Sequence, residues 1–263
     1  LPPEHVRPHE ILNAASFALS AVFVARARIP DVPTGADGGS AERHPLRDLR
    51  VGLAYLRDHA AQRSLLLLKA GALLSGGAFV LVTVFADQLF STPGSVLGKK
   101  GILMGLMLTG RGLGALVMPF GFERITGSHV RGVARAVLFA FPLSAVAFSA
   151  FSRAPSVWIA ALALFFAHGG TSTVWVGSAQ LLQVAVPNRV LGRVLSVDLA
   201  LVTLSVAAVN AVIAGALGAR IEARDVALGL GLSFLLPAAA WLHAYRTHLG
   251  DLEAAATDRA APR

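Results

Sequence analysis

Two side chains stand out because their chemistry does not suit their surroundings. Arg111 sits in Thr109-Gly110-Arg111-Gly112-Leu113-Gly114, with long apolar stretches on either side. A guanidinium at bilayer depth costs about 2.5–3.5 kcal/mol even on lenient insertion scales, so it must face a cavity or a partner. Its work would be contact with a solute or gating; the alternative is a structural arginine bonded to carbonyls of a neighbouring helix. His168 opens His168-Gly169-Gly170-Thr171-Ser172-Thr173, the most polar run inside any apolar block. Interruptions of this kind line transport paths, and an imidazole is the mid-block group that titrates near neutral pH. A histidine hydrogen-bonded within a packed bundle is the alternative. Thr171 adds a hydroxyl to the same run. Asn210 adds an amide to a later block, where bonding between helices is an equally good use for it.

The remaining charges lie nearer the block ends. Lys69 is close enough to the start of its block to snorkel to the interface, and Asp87 falls at the far end of the same block. Asp198, a few residues after Arg193, occupies an early helical position that suits an anion and points to a structural or gating role. With no Asp or Glu at mid-depth, proton coupling requires His168 or a carboxylate on another segment. H-E-x-x-H, G-x-S-x-G and phosphate-binding loops are missing, and the last block has no lysine for a retinal Schiff base. The sequence therefore gives no catalytic residues and implies no cofactor or metal. The lack of cysteine excludes disulfides and thiolate metal sites.

The elements that must position these residues follow from composition. Hydrophobic residues make up 55% of the chain and charged residues 14%, against about 25% charged in an ordinary soluble domain. The apolar residues come in blocks of about 20, the length that crosses a hydrocarbon core as a helix. This predicts an all-α membrane protein, a polytopic bundle of about seven transmembrane helices over 11–25, 65–86, 101–122, 133–151, 157–178, 195–219 and 226–245. The first is short. The organisation reads as an N-terminal segment (1–28), a cytoplasmic linker (29–64), a six-helix bundle (65–245) and a cytoplasmic tail (246–263). Within the linker, Leu46, Leu49, Leu53 and Leu56 keep helical spacing while Arg47, Arg50 and Arg57 take other faces, which reads as an amphipathic helix on the membrane surface. Small residues four apart (Gly101 and Gly105, Gly110 and Gly114, and Ala211, Gly215 and Ala219) favour close helix contact in lipid.

The net charge of +8 belongs to topology rather than to nucleic acid. If the linker is cytoplasmic, fifteen basic residues fall on that side and five (Lys99, Lys100, Arg153, Arg220, Arg224) on the other, a strong positive-inside bias. The C-terminus is then cytoplasmic.

Three segments carry a family resemblance. They are Leu12-Asn13-Ala14-Ala15-Ser16-Phe17; Thr109-Gly110-Arg111-Gly112-Leu113-Gly114-Ala115-Leu116; and Val174-Trp175, Leu181-Leu182-Gln183, Pro187-Asn188-Arg189 and Gly192-Arg193-Val194 in that order. The chain resembles the major facilitator superfamily, in the branch of bacterial exporters that includes enterobactin and drug exporters. The resemblance reaches to about residue 245 and aligns the segments with the sixth helix, the eighth helix and the loop from the tenth to the eleventh. Glu123, Arg124, Gly127 and Arg131 loosely resemble the family's charged loop signature, with a departure in glycine spacing.

The resemblance implies helix six plus a major-facilitator-like C-terminal six-helix half. It implies a gating loop using Glu123, Arg124, Arg131, Arg189, Arg193 and Asp198, and proton-coupled alternating access exporting a small amphiphilic molecule from a bacterial inner membrane. The expected partners are the lipid bilayer, a small-molecule solute and a missing N-terminal transporter half. Leu1-Pro2-Pro3-Glu4-His5-Val6-Arg7-Pro8 resembles the loop before the fifth helix yet runs straight into the sixth, the pattern of a truncated gene or incomplete chain. The rival expectation is a non-transporting remnant or membrane assembly partner.

Overall fold

The computed structural model describes residues 8–26, 45–96 and 98–260, and the linker residues between 26 and 45 lie outside them. The chain divides into two compact units, 1–43 and 44–263. The first contains one helix, α1 (Pro8–Arg26), which runs unbroken through the first expected span. Its part Ala14–Arg26 is apolar but shorter than the others. Six helices among the described residues, rather than seven, are therefore long and apolar enough to cross a membrane. This is the make-up of a multi-pass membrane protein.

In the second unit, α2 (Pro45–Asp58) precedes a long interrupted helix. The interrupted helix is α3 (Ala60–Ala72), a tight 3₁₀ turn at Leu73–Gly77, α4 (Ala78–Val84) and a wide π turn at Phe85–Leu89. Then come α5 (Lys100–Thr126), α6 (Val130–Ser152), α7 (Val157–Ala185) and α8 (Asn188–Gly218). Last are α9 (Ala223–Ser233) and α10 (Leu235–Ala260), which follow one another as a single span. Every helix extends beyond its apolar block because the flanking polar residues remain helical. Local chemistry sets the breaks. Gly127, at φ +85°, ends α5 and donates its N–H to Glu123 O (2.8 Å). Pro187 holds Val186 extended ahead of α8.

The 3₁₀ turn falls at Ser75-Gly76-Gly77. Gly77 lies against Ile213 and Val209 of α8 so closely that a Cβ would collide with the Ile213 side chain. The interruption thus lets the backbone of this span approach α8. The core lies between α6, α7, α9 and the α3–α4 span. Phe85 stacks on Phe151 (4.3 Å between centroids) and Phe148 on Phe234 (5.2 Å). Burial is uneven: 56% of the apolar window is buried in α6 and in α7, 17% in α5 and 6% in α8.

The expected amphipathic helix forms as α2. Leu56 is buried and Leu49 half-buried, while Leu53 is exposed. Gly52 rests on the first turns of α8, where a Cβ would come within 2.6 Å of Arg193 O. The stripe is thus partly spent on α8.

Candidate functional site

α5 and α7 run parallel with a constant register. Gly110 packs on Ala161, Gly114 on Phe165, and Met118 on Gly169. At Gly110 and Gly114 an added Cβ would strike the Ala161 and Phe165 carbonyl oxygens, so these glycines set the interhelical distance. Gly101, Gly105 and Gly215, with the same spacing in the sequence, have nothing within 4 Å.

This close contact leaves Arg111 at the edge of α5, half-buried, with its Cζ 4.0 Å from the centroid of the Phe79 ring on α4. Its Nε is buried without a hydrogen-bond partner. Among the described residues it bonds no backbone carbonyl, so the purely bracing alternative lacks its bonds. What holds the guanidinium is an aromatic face, a contact worth about 0.5–2 kcal/mol. Its unused donors remain for an acceptor.

The polar run on α7 has a different use. Gly169 and Gly170 are buried against Met118 and against Ser144 and Ala140. Thr171 Oγ1 donates to His168 O (3.2 Å) and Thr173 to Gly169 O (2.8 Å), while Ser172 reaches across to Ala115 O (2.9 Å). The run forms a seam between α5, α6 and α7, which explains the two glycines and three hydroxyls by packing. His168 itself is 3% exposed, edge-on to Phe148 at 5.4 Å, and its Nε2 has no partner. Arg111 is half-buried at the bundle's edge and His168 lies inside it, yet the two are near enough for the guanidinium's charge to act on the imidazole. Asn210 bonds Val206 O of its own helix (2.9 Å), not another helix.

The basic residues near the helix ends separate into pairs. Arg131 grips Glu253 with two bonds of 2.9 Å, and Arg193 pairs with Asp48 of α2 at 3.1 Å. Glu123, Arg124 and Arg189 are exposed. The partner of Arg131 is thus on α10, not in its own loop. At the opposite end of the bundle Lys100 meets Asp87 at 3.2 Å.

Lys69 corrects the sequence reading. It does not snorkel: it is 5% exposed and bonds Asp198, itself 6% exposed, at 2.5 Å. Its Nζ also lies 4.6 Å from the Trp175 ring centroid. Asp198 Oδ1 is buried without a partner. One charged pair thereby ties α3, α7 and α8 together, with Asp198 turned to Lys69 while Arg193 is held by Asp48. A signal for this was present. Lys69 is the lone basic residue of its apolar block and Asp198 the lone charge of its own, with opposite signs and similar distances from helix starts at the same end of the bundle. Isolated opposite charges at matching depth satisfy each other.

Among the described residues no group of three or more His, Asp or Glu side chains could hold a metal ion. No family model, curated protein or solved structure matches this chain.

Proposed function

We propose that the six-helix bundle is one half of a secondary active transporter of the major-facilitator kind. It exports a small amphiphilic molecule by proton-coupled alternating access in a bacterial inner membrane, with its C-terminus cytoplasmic. The observation that carries this reading is the 6% burial of the apolar window of α8. That helix also carries Ser196, Thr203, Ser205 and Asn210. Ser196, Thr203 and Asn210 each donate to a carbonyl of their own helix, which leaves their side-chain oxygens as acceptors along a solute path. The faces of α5 and α8 would then meet a second helical bundle across the path. Together with α9, α8 also walls an apolar groove of about 430 Å³ whose charged lining residue is Asp225, dimensions and chemistry that suit an amphiphilic solute.

Membrane vesicles from cells producing the protein together with the second helical bundle that completes it test the proposal. Under an imposed proton gradient, a fluorescent amphiphilic cation should move in a gradient-dependent way, and Arg111→Leu should abolish that movement. Equal movement with and without the protein would refute it.

A further inference from the structure

We propose that the cleft between the first turns of α3 and the outer part of α10 binds an anionic phospholipid from the leaflet at the basic end of the bundle. This rests on the membrane embedding of the six helices and is independent of transport.

The cleft has a volume of about 310 Å³, room for a headgroup and the start of an acyl chain but not for a whole lipid. Its two walls change character in step. α3 runs inward from the basic end, so Arg63 lies at the mouth and Leu67 deeper. α10 runs outward, so Pro237 is deep and His243 and His248 are at the mouth. An apolar inner level below a polar outer level is the profile of a phospholipid, and both helices place the change at one depth. The floor is apolar as well. Trp241 is 2% exposed and its indole N–H is already donated to Ala134 O (3.1 Å), so it offers the cleft only its ring. Leu67, 60% exposed, continues the apolar wall outside the cleft, where acyl chains would lie.

The headgroup sign follows from the mouth. Arg63 Nη1 donates to Arg57 O (3.0 Å) and Leu56 O (3.5 Å), which fixes the guanidinium in place. Among the described residues its Nε and Nη2 donate nowhere else, so they are positioned for phosphate oxygens. Ser64 spends its hydroxyl on Ala61 O (2.6 Å) and adds no donor. The carboxylates at this end are Asp58, exposed beside the Arg57 whose carbonyl Arg63 holds, and Asp251, 71% exposed and 3.4 Å from the His248 ring, so both stay in solvent. A zwitterionic lipid would bring an ammonium to Arg63, whereas a soluble phosphate would make no use of the apolar inner level.

The test uses the purified full chain in detergent, with bound lipid counted by native mass spectrometry. Phosphatidylglycerol should be retained about fivefold more than phosphatidylcholine. Arg63→Gln should erase that preference. Because Arg63 also braces α2, Ala240→Trp serves as a second variant: it fills the cleft, leaves Arg63 in place, and should lower phosphatidylglycerol retention with the melting temperature unchanged. Equal retention of the two lipids, or an unaltered preference in Ala240→Trp, would overturn the site. Displacement of the lipid by an equal concentration of glycerol phosphate would show a soluble-phosphate site instead and overturn the lipid assignment. Release of the protein from membranes by alkaline wash would overturn the embedding premise, a failure visible separately from that of the cleft.

Discussion

Replacing Lys69 with methionine should destabilise the bundle more than replacing Asp198 with asparagine. The two side chains bond at 2.5 Å with 7% and 8% of their side-chain surface exposed. Removing one partner of a buried ion pair typically costs about 3–5 kcal/mol, because the survivor keeps its desolvation penalty. The survivors here are unequal. After Lys69→Met, the Asp198 carboxylate is left with two unpartnered oxygens, since Oδ1 has no partner even in the intact pair. After Asp198→Asn, the amide oxygen still accepts from Lys69 Nζ, and the ammonium keeps the Trp175 ring at 4.6 Å, a contact of about 0.5–2 kcal/mol. The expected losses are therefore about 3–5 kcal/mol for Lys69→Met and about half of that for Asp198→Asn. The double variant Lys69→Met with Asp198→Leu removes both penalties and should recover most of the stability. Thermal melting in one detergent, with all four proteins prepared alike, reads these differences. Lys69→Met melting with the wild type, or Asp198→Asn falling below it, would refute the reasoning.

Glycines of the same spacing should respond in opposite directions. Gly114→Ala drives a methyl into the Phe165 carbonyl and should cost about 1–3 kcal/mol as overpacking, whereas Gly105→Ala, with nothing within 4 Å, should gain up to about 1 kcal/mol of helix propensity; detergent melting of both decides. Arg224 donates three bonds to Ser152 O and Ala154 O at the end of α6, so Arg224→Leu should lower stability by about 1.5–3 kcal/mol while Arg220→Leu, on an exposed residue, leaves melting unchanged. Arg111→Lys should not restore the transport that Arg111→Leu removes, because an ammonium cannot reproduce the planar guanidinium stacked 4.0 Å from Phe79; full activity of Arg111→Lys in the vesicle assay would contradict this. Reporter fusions after Arg43 and Arg189 should report cytoplasm and those after Pro93 and Arg153 the opposite side; the same compartment at Arg43 and Pro93 would undo the orientation.

Apolar block length determined the helices from the sequence alone. Backbone groups in a low-dielectric medium must bond internally, and about 20 apolar residues do so as a helix regardless of their neighbours. The regions 65–86 through 226–245 thus became six long helices, and the linker stripe became α2. Tertiary structure decided how individual residues are used. Gly110-x-x-x-Gly114 and Gly101-x-x-x-Gly105 read alike, yet only the first pair meets a neighbouring backbone, because which face of α5 turns to α7 depends on the whole bundle. The run from His168 to Thr173 reads as a polar interruption in the chain, and only the bundle sets its hydroxyls on carbonyls of α5 and of their own helix. Lys69 and Asp198 stand 129 positions apart. Their composition and depth were visible in the chain, but their meeting depends on α3 and α8 being neighbours, and that proximity comes from Gly77 letting one backbone close on the other helix.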